Sequence, residues 1–250
     1  RLLTEEGLVY RFESVGDAPD ALVILADSIR ADSCPEDPCS ASLAGGPGIR
    51  FHRDAAVEPQ DVILAFGSRK RLIPHTVTAI SWSRDNKRAV SAVVPTVIAF
   101  GERVPRLESY NPAWVYPRLE GARAHRAATL QQQTHEASHH VWLGRGTVRS
   151  FTAGEHIRLQ ASPLDQLAGR LNADPDAGQD QREFLLTSLT HAGINNLPQQ
   201  LSEALANTGF DEGDYYAVPI LPAWIDAEQR AQAARSGYAN RFEALSRSVP

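Results

Sequence analysis

Short stretches in which hydrophobic and polar residues alternate recur along this chain. Alternation with a period of two places every second side chain on the same face, which is the pattern of a half-buried β-strand. Several of these stretches also carry the β-branched and aromatic residues that are common in strands. The pattern predicts strands over 8–12, 21–26, 49–53, 61–66, 76–82, 147–151, 156–161, 183–191 and 215–221.

Some of these predicted strands have features of their own. Residues 21–26 form an unbroken apolar run, which predicts a buried strand. Pro219 cannot donate a ladder hydrogen bond, so the strand that contains it is expected at a sheet edge. The strands 147–151 and 156–161 are expected to pair as a hairpin around the turn at 153–154.

One helix is predicted between about 119 and 141. After Gly121 this segment has no Gly or Pro, and it is rich in Ala, Gln and Arg, which are good helix formers. Its apolar stripe is thin, so the helix is expected to lie on a surface or to bridge subdomains. The aromatic and proline-bearing residues 103–117 predict an irregular connector, whereas 89–99 fits either a buried strand or two separate pieces.

The composition indicates a globular protein with a real core. The chain has 250 residues, of which 42% are hydrophobic and 22% are charged, and this leaves room for one large domain or two to three small ones. The net charge is −5 and the basic residues are scattered, so no nucleic-acid footprint is predicted. No apolar run approaches the roughly 18–20 residues that a membrane helix needs, so no membrane anchor is predicted. The chain contains no methionine, even at its first position, which predicts a fragment of a longer protein.

The motif with the sharpest chemical meaning is His135-Glu136-Ala-Ser-His139. It matches H-E-x-x-H, in which two histidines one helical turn apart bind zinc and the glutamate acts as a general base. Zinc needs a third protein ligand, and the candidates lie in predicted hairpins and strands: Glu155, His156 and His191. The interpretation favoured is therefore two histidines on a solvated helix face, with no bound metal or cofactor, and a zinc metallopeptidase is the alternative.

Other candidate sites are weaker. Cys34 and Cys39 lie in a loop and are too few for a structural zinc site, so they predict either a small loop disulfide or two free thiols. The acidic loop around 174–180 lacks the ligand spacing of a calcium loop. The short basic run 69–71 predicts a solvated turn or strand edge more readily than a partner-binding patch.

Several segments together resemble the VgrG family of type VI secretion spike proteins. The N-terminal L-L-T-E-E-G followed by a strand that ends in Y-R-F is similar to that family, and further blocks follow in the family's order. The remaining similar segments are 22–27, 49–53, 63–67, 72–82, 135–137, 144–151, 183–186, 191–197 and 238–244.

The resemblance implies a fold that is mainly β with α+β insertions, built from tube-like β-barrel domains of the phage-hub type. It divides the chain into the end of an α+β subdomain at 1–48 and the returning strands of a first barrel at 49–86. A connector with the long helix follows at 87–143, and a second barrel occupies 144–250.

The resemblance also implies a structural role and no enzymatic activity. The family forms a homotrimer that stacks on a hexameric tube of Hcp, assembles with baseplate components and a spike-tip protein, and delivers effector cargo. Such a protein assembles in the bacterial cytoplasm and is then secreted or injected into a target cell. A hub protein of a phage tail or of a related contractile injection particle is the alternative within this fold.

Two turns are expected to contact the tube. One is the basic segment 66–74 with Arg69 and Arg71, and the other is the turn at Ala153 and Gly154. These assignments follow from the resemblance and from the expected positions of the turns.

The zinc alternative makes a testable prediction. If the H-E-x-x-H motif binds metal, purified protein will carry stoichiometric zinc that is lost on His135→Ala. If the motif is a solvated helix face, elemental analysis will find no bound zinc in either protein, which is the result expected.

Overall fold

A computed structural model gives the fold of residues 3, 6–13, 20–28, 34–42, 49–51, 61–83, 87–100, 104–112, 121–160, 183–194 and 225–247. The predicted strand at 215–221 and the acidic loop around 174–180 lie outside the described residues.

The described elements are mainly strands. The strands are β1 (Val9–Glu13), β2 (Ala21–Leu25), β3 (Ile49–Arg50), β4 (Ile63–Lys70), β5 (Thr76–Ser83), β6 (Arg88–Pro95), β7 (Glu108–Pro112), β8 (His140–Gly146), β9 (His156–Gln160), β10 (Glu183–Gly193) and β11 (Tyr238–Ser246). The helices are α1 (Pro38–Ser42), α2 (Gly121–His139) and α3 (Ala227–Ser236). The predicted fold class, mainly β with helical insertions, is confirmed.

The largest sheet contains six strands in the order β3-β9-β10-β11-β8-β4. Its ladders are antiparallel except for the parallel pair of β3 and β9. The two outer strands come together at a parallel bridge between Phe51 and Ile63. The sheet therefore curls until its two outer strands touch at one end, in the manner of a partly closed barrel.

Apolar side chains fill the interior of this curled sheet. The buried cluster consists of Ile49, Ile63, Val148, Phe151, Ile157, Leu159, Phe184, Leu186, Phe242 and Ala244. Phe66 and Trp142 pack against the cluster and stack with ring centroids 5.1 Å apart. Burying aromatic rings in this way removes a large apolar area from water and is the main contribution to the stability of the barrel.

A glycine at the centre of β8 makes room for the aromatic rings. Gly144 pairs with Phe66 of β4 on one side and with Phe242 of β11 on the other. A Cβ atom at Gly144 would lie 2.1 Å from Cζ of Phe242. Since carbon atoms in contact normally stay about 3.5–4.0 Å apart, only a glycine fits beneath this ring.

The second sheet has three strands in the order β6-β5-β7. One of its faces is covered by α2 through small side chains that let the helix approach closely: Val77, Ala79, Ala92, Ala124 and Ala128. The thin apolar stripe of α2 thus packs on a single sheet face. Among the described residues, no helix is both long and apolar enough to cross a membrane.

Capping residues explain where the two short helices begin and where α3 ends. Asp37 begins α1, because its Oδ1 accepts hydrogen bonds from the backbone N–H groups of Cys39 and Ser40, both at 3.0 Å. Asp226 caps α3 in the same way by accepting from Gln229 N–H at 2.7 Å. Gly237 then ends α3 with a φ of 76°, a conformation that glycine adopts without strain.

Some local expectations were wrong. The connector 103–117 contains β7, which pairs in parallel with β5. Residues 147–151 are not a strand, and β9 pairs with β3 and β10 instead of forming a hairpin with them. The physical reason is that residues 147–149 bond to the segment before β4 instead, since the N–H of Thr147 donates to the carbonyl of Val62 at 2.9 Å and the N–H of Arg149 donates to the carboxylate of Asp61 at 3.2 Å.

The division of the chain into two barrels stays a prediction, but two strand pairings cross its boundaries. Strand β4 from the segment 49–86 pairs along its length with β8 from 140–146, and β3 pairs with β9. In the structure, therefore, 49–86 and 144–250 contribute to one sheet.

The packing at Gly144 leads to a prediction. Gly144→Ala should lower the free energy of unfolding by about 1–3 kcal/mol, because the added methyl group forces the ring of Phe242 out of a packed core. Gly67→Ala is the matched control, since a Cβ atom at Gly67 in the neighbouring strand meets nothing within 4 Å. Urea unfolding of both variants measures the difference, and equal stabilities would contradict this account of the core.

Candidate interaction surfaces

The H-E-x-x-H residues lie at the C-terminal end of α2, where two of them hold neighbouring loops. Oε1 of Glu136 accepts hydrogen bonds from the hydroxyl of Thr96 at 2.6 Å and from the N–H of Val97 at 2.8 Å. Nδ1 of His139 lies 2.7 Å from the carbonyl oxygen of Arg71, so this nitrogen carries a proton and donates it. The N–H of Arg71 donates in turn to the carbonyl of His139 at 3.0 Å.

These contacts favour a structural role for the motif. The glutamate, which would activate water in a peptidase, is engaged by a hydroxyl and a backbone N–H. Of the proposed third ligands, Glu155 immediately precedes β9, His156 is the first residue of β9, and His191 lies in β10. Over the described ranges, no group of three His, Cys, Asp or Glu side chains is placed to hold a metal ion.

Three loops meet next to this end of α2, and we call them the loop end: 71–75, 96–100 and 104–107. The N–H of Thr96 donates to the carbonyl of His75, and the N–H of His75 donates to the carbonyl of Leu107, both at 2.8 Å. The ring of Phe100 contacts the rings of His75 and His139, with centroids 4.4 and 5.4 Å apart. Together with the bonds to Glu136, these contacts fix the three loops relative to one another.

The loop end presents apolar and basic side chains to solvent. Leu72, Val97 and Leu107 are exposed, and the side chain of Val97 is 88% accessible. Arg71 and Arg106 are exposed in the same loops, and Lys70 is exposed at the end of β4. Large apolar side chains that are exposed together on a well-held backbone are typical of a protein-binding surface.

The expected turn at 66–74 is wrong in its position. Strand β4 continues to Lys70, and Arg69 lies inside it, opposite Val141. The guanidinium of Arg69 lies 3.8 Å from the carboxylate of Glu243 on β11. Arg71 follows the strand and is exposed in the loop end.

The second expected turn does lie at Ala153 and Gly154. Gly154 has a φ of 92°, and a Cβ atom there would lie 2.7 Å from Cδ of Arg11. Both the backbone conformation and the close approach of β1 therefore require glycine. The contact of these residues, and of Arg69 and Arg71, with a tube stays a prediction.

The hairpin of β1 and β2 carries a second exposed apolar surface. In the register of this pair, Tyr10 faces Ile24 and Phe12 faces Leu22, so the four side chains share one face, which we call the hairpin face. Their exposed fractions are 49–61%. The expectation that 21–26 forms a buried strand is therefore wrong, because in the described part of the chain β2 pairs with β1 alone and its apolar face stays open.

The opposite face of the hairpin meets the barrel through a polar cluster. The side chain of Arg11 is only 9% exposed and pairs with Glu13. Burial, followed by the negative charge of Asp37, raises the pKa of Glu155 to about 7, and Arg11 opposes this effect. Within the described part of the chain, one carboxylate oxygen of Glu155 and one of Asp37 are buried and have no hydrogen-bond partner. The cluster therefore joins β1, α1 and β9 at some electrostatic cost when Glu155 is ionised.

In a neighbouring ion-pair network, the pKa of the central carboxyl group is lowered instead of raised. Burial alone would raise the pKa of Glu183, but hydrogen bonds from Arg158 and Arg247, at 2.7 and 2.8 Å, lower it. Arg247 also lies 3.1 Å from Nε2 of His156. This network ties β9 and β10 to the end of β11.

The two cysteines are free thiols, which settles the alternatives left open by the sequence. Cys34 is buried, and burial raises the pKa of its thiol, so the reactive thiolate form is disfavoured. Its carbonyl oxygen lies 3.0 Å from Nδ1 of His156.

Comparison with known proteins places this geometry in a family. The model of the phage tail baseplate hub (GPD) family matches residues 1–197, and the chain belongs to this family. The predicted resemblance to phage-hub proteins is thereby confirmed.

Two solved structures of tail-like proteins are similar to the chain. One is an Escherichia coli component of the type VI secretion system, described as structurally similar to the T4 bacteriophage tail proteins gp27 and gp5. It has a TM-score of 0.42 and 10% identity, and the match covers 98% of this chain and 35% of that one. The other is a tail protein from Neisseria meningitidis MC58, with a TM-score of 0.43, 8% identity, and coverage of 83% of this chain and 47% of that one.

The chain thus spans about a third to a half of the length of these two proteins. At TM-scores below 0.5, the likenesses support no inference about individual residues. No curated protein matches the chain.

The hairpin face and the cluster at Glu155 were not predicted from the sequence. The alternation of β1, with Tyr10 and Phe12 on one face and Arg11 and Glu13 on the other, contains the signal for a two-faced strand. For Glu155 the sequence holds no signal, because its neighbours Asp37 and Arg11 are far away along the chain.

The raised pKa of Glu155 predicts a pH-dependent stability. Since the folded pKa of about 7 exceeds the ordinary value of 4.5, the folded state holds this proton more tightly, and stability falls as pH rises from about 4.5 to 7. Glu155→Gln should remove this loss and stabilise the protein at pH 8 by roughly 1 kcal/mol, a figure reduced for solvent screening, with little effect at pH 4.5.

Urea unfolding at pH 4.5, 6 and 8 measures the effect. Glu243→Gln removes a negative charge from the partly exposed side chain on β11 and is the control. A stability difference between Glu155→Gln and the wild type that does not change with pH would contradict the assignment.

Proposed function

We propose that the chain is part of the head of a cell-puncturing spike in a type VI secretion system, where it serves as a structural adaptor and not as an enzyme. The observation that carries this proposal is the match of residues 1–197 to the baseplate hub family. The curled six-stranded sheet and the structural use of Glu136 are in keeping with it.

In this proposal the protein forms a homotrimer that stacks on a hexameric tube of Hcp. Each subunit contributes two barrel-like units, so that three chains present six units to a six-fold tube. Baseplate components, a spike-tip protein and effector cargo complete the assembly, which forms in the bacterial cytoplasm and is then secreted or injected. A closed ring of this kind needs large complementary surfaces between subunits.

The physical demands on such an adaptor are mechanical. Sheath contraction elsewhere supplies the work, and the adaptor must transmit it without opening. A curled sheet whose outer strands touch at Phe51 and Ile63 and whose interior is filled with aromatic rings resists shear better than a flat sheet, because the packed interior holds the strands together.

A hub of a phage tail or of a related contractile injection particle is the second candidate. The description of the matching family, a phage tail baseplate hub, favours it directly. The two candidates share the fold and the mechanical task and differ in the tube that they meet. Purified rings of the type VI tube protein and of a phage tail tube protein distinguish them by co-sedimentation.

The proposal predicts a trimer in solution. The mass of the 250-residue chain in light scattering should be about 82 kDa, three times the 27.3 kDa of one chain. A monomer at micromolar concentration would count against the adaptor role. If the trimer forms, charge reversal at Arg69 and Arg71 tests the predicted tube contact, and unchanged co-sedimentation with tube rings would rule that contact out.

A further inference from the structure

The hairpin of β1 and β2 is attached to the barrel through its polar face. Among the described residues, β1 and β2 form a ladder only with each other and belong to neither of the larger sheets. The hairpin face is exposed to solvent, so its apolar side chains do not hold the hairpin in place. The contact with the barrel is therefore made by the opposite face, where the side chain of Arg11 is only 9% exposed.

Arg11 lies over the turn that leads into β9. A Cβ atom on Gly154 would be 2.9 Å from Cβ and 2.7 Å from Cδ of Arg11, so the arginine stem is in close contact with the backbone of this turn. The charges of Arg11 and Glu13 both act on Glu155, which is the next residue of the turn. The burial of Glu155 therefore depends in part on the seated hairpin.

The charges around Glu155 do not balance when its carboxyl group is ionised. From the hairpin it faces Arg11 and Glu13, which pair with each other. From the residue before α1 it faces Asp37, which is fully buried and caps that helix. An ionised Glu155 is thus a third carboxylate beside a single cation, at a place from which water is largely excluded.

The charged groups on the far side of β9 are engaged with one another. Nε2 of His156 lies 3.1 Å from the guanidinium of Arg247. Arg247 and Arg158 both bond the carboxylate of Glu183, at 2.8 and 2.7 Å. Within the described part of the chain, this network therefore supplies no cation to Glu155.

The polar groups that attach the hairpin are poorly satisfied. In the ranges that the structure describes, Nε of Arg11, Oδ2 of Asp37 and Oε2 of Glu155 are all buried and have no hydrogen-bond partner. Buried polar groups without partners lower the stability of the contact that buries them. A two-stranded hairpin also has little stability of its own in water. The hairpin is therefore expected to open more readily than the strands of the six-stranded sheet.

We propose that the N-terminal hairpin is a pH-dependent element, which stays seated on the barrel while Glu155 is protonated and loosens from it when Glu155 is ionised. A loosened hairpin lets water reach the carboxylate of Glu155 and weakens its repulsion from Asp37. The chain stays joined to α2 just before β1, where Leu130 contacts Gly7 and Arg126 donates to the carbonyl of Glu6 at 3.4 Å. The proposal goes beyond the proposed function and does not rest on it, since it concerns one element within a single chain.

The direction of the pH effect follows from the raised pKa of Glu155. With the hairpin seated, the pKa of this carboxyl is about 7, whereas its ordinary value is 4.5. The seated form therefore binds the proton more tightly than the loosened form. The preference for the seated form is complete below about pH 4.5, declines as the pH rises to about 7, and stays low above that pH.

Cys34 is a natural reporter of the seated hairpin. Its side chain is 2% exposed, and the charges of Arg11 in β1 and of Asp27 after β2 both act on its thiol. A thiol reagent is therefore expected to reach Cys34 when the hairpin loosens. Cys39→Ser removes the second free thiol, so that labelling of this chain measures Cys34 alone.

Hydrogen exchange of the 250-residue chain, measured by mass spectrometry at pH 5.5 and 8 and corrected for the intrinsic effect of pH, tests the proposal. In the wild type, peptides that cover β1 and β2 should lose about fivefold in protection at pH 8, a ratio moderated by solvent screening. Glu155→Gln should give equal protection at both pH values. Glu6→Gln removes a charge from the same segment at a side chain that is 71% exposed, and it should keep the wild-type response.

Low concentrations of urea separate local release from unfolding of the whole chain. A local opening exposes little surface, so the protection of β1 and β2 should not change with urea, whereas that of β10 and β11 should fall. In the Cys39→Ser chain, the labelling rate of Cys34, divided by the rate of the unfolded chain at the same pH, should rise about fivefold from pH 5.5 to 8. The further substitution Glu155→Gln should abolish this rise.

Each outcome decides for or against the proposal. A loss of hairpin protection at pH 8 that is independent of urea and absent in Glu155→Gln supports it. Hairpin protection that falls with urea as steeply as that of β10 and β11 overturns it, because the hairpin then opens only with the whole chain. An equal pH response in the wild type and Glu155→Gln, in either exchange or labelling, overturns it as well.

Discussion

The fold depends on the curl of the six-stranded sheet, which brings its two outer strands together at one bridge. The bridge between Phe51 and Ile63 brings together two strands that the chain reaches within a dozen residues, while the other ladders connect segments up to about a hundred residues apart. Once the edges meet, the inward side chains have a single shared interior. That interior is densely packed, so position 144 of β8 must be a glycine, because a side chain there would overlap the ring of Phe242.

The elements outside the barrel attach to it in different ways. The three-stranded sheet and α2 form a separate small core of alanine and valine, which is tight but contains little apolar volume. The N-terminal hairpin is attached through a polar contact in which Arg11 crosses Gly154 near Glu155 and Asp37. A polar attachment of this kind fixes the orientation of the hairpin on the barrel. Its free energy varies with the protonation state of Glu155.

The residues of an H-E-x-x-H motif can bind a metal ion or hold neighbouring loops, depending on the groups that surround them. A helix presents the glutamate and the histidines in the geometry that zinc chemistry needs. In this structure the carboxylate of Glu136 faces the N–H of Val97 and the hydroxyl of Thr96, and His139 faces the carbonyl of Arg71. The motif thereby holds loops in place, and these loops carry the most exposed apolar side chain described in the protein.

The sequence by itself determined the local structure of this protein. Alternation identified most of the described strands, the composition of 121–139 identified the long helix, and the small turn at 153–154 was evident from its residues. Such features depend on neighbours within a few positions, where side-chain periodicity and backbone preference act directly. The order of similar blocks also identified the family, because it samples the whole chain at once.

Only the tertiary structure decided which strands meet and which groups are buried together. That β4 pairs with β8, that β2 stays exposed despite its apolar run, and that Glu155 lies beside Asp37 all depend on residues far apart in the chain. The tertiary packing decides which groups lose water and which strands are in contact, since the same segment can be buried or exposed according to what packs on it.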